Sequence, residues 1–165
     1  MAELKWLKEY SGQTVEQLLS LEGEYRIDSL VVVFHQAVDL EAAREGDDAL
    51  NPEERIIVAI EALEAEVNNG GYAQFFLNSS REYVPTIVQA LVRIGCPITA
   101  EITQQAIDAL HLPRLSGEAI EAAMADDTIN EDDLNECDDS YYKSGEDIAG
   151  QLFAFIKKNK DAIKL

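Results

Sequence analysis

The large apolar residues of this chain recur mostly at helical spacing. The clearest case is the segment from Arg26 to Glu45, where they fall in an i, i+3, i+4, i+7, i+11 series: Ile27, Leu30, Val31, Phe34 and Val38. That spacing puts them on one face of an amphipathic helix. Similar stripes follow in further segments separated by glycine, proline and capping residues. The pattern predicts an all-α fold, a single compact irregular bundle of seven to nine helices.

Capping residues mark several helix starts. Thr14 stands three residues before Gln17, the spacing of a capping box in which each side chain bonds to the other residue's backbone N–H. Asn51 precedes a proline, which suits the first position of a helix. We also expect Thr99 to cap a middle helix, and Asn130 or Thr128 to cap a later one.

The helical pattern is interrupted once by two adjacent glycines, Gly70 and Gly71. Glycine adopts backbone angles that other residues resist, so a break is expected here. We expect Asn68 and Asn69 to end the preceding helix in a left-handed conformation. The aromatic residues that follow have the spacing of a short helix facing the core: Tyr72, Phe75 and Phe76.

The length of the chain limits the number of domains, and its charge limits the kind of binding partner. A chain of 165 residues with 47% hydrophobic content suits one domain, predicted to span 1–165. Its 32 acidic and 13 basic residues give a net charge of -19. Such a surface repels nucleic acid and anionic membrane, and favours basic partners or cations. The alternative is an acidic surface that serves only solvation or weak cation binding.

Features of other protein classes are missing from the sequence. The beginning of the chain lacks a leader pattern and no apolar run is long enough to span a membrane, so we expect a cytoplasmic protein. Cys96 and Cys137 are far apart and are expected to be buried thiols. No nucleophile, phosphate-loop or zinc-protease motif occurs, and His35 and His111 lack a second ligand pair. We therefore expect no enzyme, no cofactor and no metal.

Two regions concentrate the carboxylates. On the helix that starts at Pro52, four of them fall within about a quadrant and predict an acidic stripe: Glu53, Glu54, Glu61 and Glu64. A second, denser region runs from residue 118 to residue 147, with Lys143 as its one base. Its acidic candidates are Glu118, Glu121, Asp126, Asp127, Glu131, Asp132, Asp133, Glu136, Asp138 and Asp139.

The second region still shows apolar residues at helical spacing, among them Leu134 and Tyr141, so it predicts two short helices with acidic outer faces. A calcium loop starting at Asp126 is excluded, because Glu131 stands where the loop needs glycine and Cys137 where it needs a bidentate glutamate.

The Asn-Gly-Gly-aromatic-x-Gln-Phe-Phe-x-Asn string of residues 68–78, together with the length and acidity, resembles a family of small bacterial DNA-mimic proteins. The resemblance implies a helical protein that imitates duplex DNA and blocks a helix-turn-helix transcription repressor, which then leaves its operator. From their charge and helical spacing, we expect the carboxylates of both regions to bind this basic partner. A homodimer is left open, since no interface is legible in the sequence.

Overall fold

The computed structural model describes residues 2–165, and these form eight α-helices without a strand. The all-α prediction is confirmed, and the number of helices lies within the predicted range. The helices are α1 (Val15–Leu19), α2 (Ile27–Glu45), α3 (Pro52–Leu77), α4 (Val84–Ile94), α5 (Pro97–Asp108), α6 (Gly117–Ala125), α7 (Glu131–Lys143) and α8 (Ile148–Lys158).

Contacts group the described residues into two compact units. Unit 1 comprises residues 2–61 and 147–165, and unit 2 comprises residues 62–146. Helix α3 passes from unit 1 to unit 2 between Glu61 and Ala62. That the chain is a single domain stays a prediction.

In unit 1, the long helix α2 packs against α8. Phe34 of α2 meets Phe153 of α8 edge-on, with ring centroids 6.5 Å apart. The extended N-terminal segment is attached to α2 by polar contacts: the backbone N–H of Leu7 donates to Ser29 Oγ at 3.1 Å. Helices α2 and α8 therefore both contribute to the apolar core of unit 1.

The predicted capping residues are confirmed at three helices and wrong at one. Thr14 forms the capping box of α1, Asn51 caps α3, and Asn130 caps α7. Helix α5, however, begins at Pro97, so Thr99 lies inside its first turn. The N–H and hydroxyl of Thr99 donate to the carboxylate of Glu146, at 2.7 and 2.6 Å. A distant carboxylate thus satisfies the N-terminus of α5, which local sequence patterns do not reveal.

The break in α3 lies at the glycines themselves. Gly70 has φ -154° and Gly71 has φ 76°, whereas neither Asn68 nor Asn69 has a positive φ. The expectation of a left-handed asparagine is therefore wrong, because glycine takes the strained conformation at lower cost. Gly71 is also required by space, since a Cβ there would overlap the carboxylate of Asp138.

The aromatic residues after this kink form the core of unit 2, as predicted. Tyr72, Phe75 and Phe76 are completely buried. The hydroxyl of Tyr72 bonds to Thr103 of α5 at 2.8 Å, and its ring meets the ring of Tyr141 of α7 edge-on at 5.9 Å. These contacts connect the second half of α3 with α5 and α7.

Two smaller expectations concern the cysteines and the membrane. Cys96 and Cys137 are buried and form no disulfide, as predicted. Along residues 2–165, no helix has the length and apolar content needed to cross a membrane.

Candidate functional site: two sets of carboxylates

Glu54, the second acid of the α3 set, is a structural residue and not part of an exposed stripe. Its side chain is only 1% exposed. The carboxylate accepts the backbone N–H of Asn51 at 3.1 Å, the Asn51 amide at 3.2 Å, and the backbone N–H of Lys164 at 2.9 Å. The Asn51 amide also donates to the carbonyl of Ala162. Glu54 thereby joins the start of α3 to the C-terminal segment.

The other α3 acids also depart from the predicted stripe. Glu61 is 6% exposed, and Glu53 is half-buried. Glu64 is half-buried, and its Oε1 is buried without a hydrogen-bond partner. Burial raises the pKa of Glu64 to about 7, because an ionised carboxylate loses its hydration there. The expectation that these four residues form an exposed acidic face is wrong.

The reason is that α3 is buried on all sides in the middle of its length. Residues 56–61 are all buried. Ile57 lies in the same angular sector as the acids, at 100° per residue, and Ile60 and Val58 lie on either side of that sector. A helix that is apolar all round is an interior helix. The uninterrupted run from Ile56 to Ile60 was the sequence signal that could have revealed this.

The second set is exposed with one exception. All of its carboxylates are on the surface except that of Asp138, which is half-buried. The exposed members are Glu118, Glu121, Asp126, Asp127, Glu131, Asp132, Asp133, Glu136 and Asp139. The structure therefore presents the carboxylates of α6, α7 and the loop between them to solvent, within unit 2 alone.

Helix α7 carries the densest part of this surface. Its buried side consists of Leu134, Cys137 and Tyr141. On the opposite side, an i, i+4, i+7 series of acids is exposed, and we call it the α7 acidic face: Asp132, Glu136 and Asp139. Neighbours in such a series lie about 5–6 Å apart at Cβ.

Three contacts fix the orientation of α7 against α3. Asp138 accepts the backbone N–H of Tyr72 at 2.7 Å. Tyr142 donates its hydroxyl to the carbonyl of Val67 at 2.5 Å, and the ring of Tyr141 lies against that of Tyr72. Burial raises the pKa of Asp138, and the hydrogen bond from Tyr72 opposes this rise. Asp138 therefore positions α7, and the exposed acids beside it are held in a fixed arrangement.

Few cations neutralise the exposed carboxylates. Glu121 pairs with Arg81 at 3.1 Å, and among the described residues no lysine or arginine pairs with the α7 acidic face. Unit 2 contains 16 acidic residues and four lysines or arginines, whereas unit 1 contains 16 acidic and nine basic residues. The acidic excess is thus larger in the unit that carries the exposed set.

Other acids of unit 2 serve the fold. Glu66 accepts the side-chain amides of Gln74 at 2.6 Å and Asn78 at 2.9 Å. Gln74 and Asn78 belong to the string that follows the two glycines, so this part of the string holds the kinked helix together. The string is a structural feature and does not contribute an exposed carboxylate.

The described residues contain no group of three or more His, Cys, Asp or Glu side chains arranged to hold a metal ion. His35 Nε2 lies 3.0 Å from Asp39 on the next turn of α2. Burial lowers the pKa of His35, and the charge of Asp39 opposes this. His111 is exposed.

Comparison with known protein families gives one match, over residues 48–159, to the DMP19-like protein family. The chain belongs to that family. No curated protein matches the chain. The DMP19-like segment begins just before α3 and ends just after α8, and it includes every candidate carboxylate of both sets. It also includes the glycine kink and its supporting contacts with Asp138 and Gln74.

Proposed function

We propose that this protein is a DNA-mimic inhibitor that binds a bacterial helix-turn-helix repressor and blocks the repressor's access to its operator. The exposed carboxylates of residues 118–139 form the binding surface, with the α7 acidic face at its centre. The observation that carries the proposal is that these acids are exposed and, with the exception of Glu121, not paired with a lysine or arginine among the described residues, while the bond from Tyr72 to Asp138 supports α7. Membership of the DMP19-like family and the resemblance of residues 68–78 support it.

Charge spacing is the physical basis of the mimicry. The phosphates of one DNA strand advance about 3.4 Å along the axis per nucleotide. Carboxylates three or four residues apart on a helix have a spacing of the same order. A helix-turn-helix protein places lysines and arginines against such phosphates. An ordered row of carboxylates competes for the same cations.

The α3 acids are left out of this proposed surface. Glu54 and Glu61 are buried, and Glu64 is only partly ionised near neutral pH because burial raises its pKa to about 7. The proposed binding surface is therefore narrower than the two regions that the sequence indicates, and it lies in unit 2.

The affinity for the repressor has to come from many exposed carboxylates acting together, since a single exposed ion pair contributes only about 0–1 kcal/mol. Binding is accordingly expected to weaken steeply with salt, as DNA binding by the repressor does. The protein acts by occupying the DNA-binding surface of the repressor, and this needs neither a cofactor nor a chemical reaction.

The test is a competition assay between this protein and operator DNA. Helix-turn-helix repressors of the source organism are each bound to a fluorescent operator duplex, and the protein is added while DNA anisotropy is followed. The array variant Asp132→Asn/Glu136→Gln/Asp139→Asn is compared with a control variant of unit 1, Glu3→Gln/Glu9→Gln/Glu45→Gln. Both sets of residues are exposed, and both variants lose three charges.

We expect the wild type and the control variant to displace DNA from one repressor. The array variant should reach the same displacement only at a concentration at least tenfold higher. If no repressor is displaced, or if the two variants are weakened equally, the proposal is wrong. Equal weakening would favour a general effect of net charge, and failure to displace would favour the acidic solvation or weak cation-binding alternative.

A further inference from the structure

A cavity of about 520 Å³ opens in unit 2, and no residue of the α7 acidic face lines it. It lies where the end of α5, helix α6 and the loop before α7 meet. Small-molecule sites in proteins typically measure about 300–1,000 Å³ and combine an apolar lining with a few polar groups. The volume of this cavity lies within that range, and its lining combines apolar side chains with three polar residues.

The apolar lining is formed by one face of α6 and by residues from the two loops. The contributing residues are Leu110, Leu112, Ala119, Ala122, Ala123 and Ile129. The three alanines stand at i, i+3 and i+4, so they share one face of α6. Their methyl groups leave space that larger side chains would fill, and this accounts for the cavity beside α6.

The polar residues at the cavity are Asp126, Thr128 and His111. Asp126, which follows the last residue of α6, accepts the backbone N–H of Thr128 at 3.3 Å, so its carboxylate is held in a turn. His111 has φ 51°, and among the described residues it is the only non-glycine with a positive φ. Such backbone conformations are uncommon and cluster at functional sites.

We propose that this cavity binds a small organic cation that consists of an ammonium group on an apolar body. The apolar body lies on the alanine face of α6, and the ammonium group binds the carboxylate of Asp126. No lysine or arginine lines the cavity, and unit 2 has 16 acidic and four basic residues, so an anionic ligand would be repelled. A neutral ligand would gain the apolar contacts but would leave Asp126 without an ionic partner.

This site shares Asp126 with the proposed repressor surface but does not include the α7 acidic face at the centre of that surface. None of Asp132, Glu136 and Asp139 lines the cavity. Loss of repressor binding in the array variant therefore does not show whether the cavity binds a cation. If the cavity binds no cation, the proposal of DNA mimicry is unaffected.

The test uses three probes of similar shape at constant ionic strength: cyclohexylmethylammonium, cyclohexylmethanol and cyclohexanecarboxylate. Binding is followed by amide chemical shifts of the full-length protein, with Ala119, Ala122 and Thr128 as reporters. We expect the ammonium probe to bind about three- to fivefold more tightly than the alcohol, the gain typical of one exposed ion pair. We expect the carboxylate to bind more weakly than either.

Two pairs of variants make the assignment specific. Asp126→Asn keeps the turn but removes the charge, and we expect it to abolish the preference for ammonium over alcohol. Its control is Asp108→Asn, which removes an exposed charge of α5 outside the lining. Ala122→Leu fills the cavity and should weaken the binding of the ammonium probe and of the alcohol at least fivefold. Ala125→Leu, on the same helix outside the lining, should leave both affinities unchanged.

Some results would overturn the inference. One is the absence of saturable shifts at the three reporters with the ammonium probe. Another is equal binding of all three probes, or shifts that spread over the acidic surface and persist in Ala122→Leu. The last pattern would mean that the amine is only a counterion of the acidic surface. Thermal unfolding of each variant, measured without ligand, shows whether it is folded.

Discussion

Helices α3 and α7 both carry clusters of carboxylates, and they use them in opposite ways. The α3 carboxylates of Glu54 and Glu61 are buried, and Glu54 holds the C-terminal segment through the N–H of Lys164. Along α7, Asp132, Glu136 and Asp139 are exposed and no described lysine or arginine pairs with them. One set of acids supports the fold, whereas the other is left available to a partner.

The difference arises from what surrounds each helix. Residues 56–61 of α3 are buried on every side, so an acid in that stretch is either hydrogen-bonded or strongly perturbed in its pKa. Helix α7 has a narrow buried side, formed by Leu134, Cys137 and Tyr141, and its remaining surface is solvated. The number of acids on a helix therefore does not measure its acidic surface.

The largest expected effect on stability is that of Glu54→Ala. We expect it to lower the free energy of unfolding by about 3–5 kcal/mol, because three hydrogen bonds to a charged acceptor are lost and buried donors remain unsatisfied. Chemical denaturation measures the loss. The matched variant on α7, Glu136→Ala, should change the stability by no more than about 0.5 kcal/mol. A loss of similar size in both variants would mean that the two helices do not differ in this way.

The second expected effect concerns the pH dependence of stability and the buried oxygen of Glu64. The folded-state pKa of about 7 lies above the ordinary value of 4.5, so the folded protein binds a proton that the unfolded chain has released. Stability therefore falls as the pH rises from about 4.5 to about 7, and it stays at the lower level above that. A shift of this size corresponds to at most about 3 kcal/mol.

Glu64→Gln tests this effect, since glutamine keeps the shape and cannot ionise. We expect the variant to be about 2 kcal/mol more stable than the wild type at pH 8 and close to it at pH 4.5. Denaturation curves at several pH values, compared with those of the exposed control Glu118→Gln, give the difference. An identical pH profile in the wild type and in Glu64→Gln would show that Glu64 has an ordinary pKa.

The smallest effects are expected for single amide substitutions on the α7 acidic face. Asp132→Asn, Glu136→Gln and Asp139→Asn should each change the stability by no more than about 0.5 kcal/mol, because each residue is solvated and unpaired with a cation. Because each substitution relieves repulsion among neighbouring acids, we expect any change to be a slight gain in stability. A loss above about 1 kcal/mol in any one of them would show a structural role on this face that its exposure does not indicate.

Much of the fold could be predicted because it depends on local signals. The apolar spacing of α2 and the capping residues Thr14, Asn51 and Asn130 are readable from neighbours three or four positions away. The cap of α5 could not be predicted in this way. The carboxylate of Glu146, which binds Thr99, lies 47 residues further along the chain.

The candidate site could be predicted only in part for the same reason. The exposure of the α7 acids follows from a helix with few apolar positions, which the sequence displays. The burial of Glu61 and the cavity beside Ala119 and Ala122 depend on how distant segments pack. No spacing rule along one helix contains that information.

By itself, the sequence determined the helical class, the position of the break at Gly70 and Gly71, and the excess of negative charge, since these depend on composition and on contacts within a few turns. Only the tertiary structure decided which carboxylates face solvent. Burial of a side chain is set by the segments packed around it, and it alone separates Glu54 and Glu64 from the acids of α7.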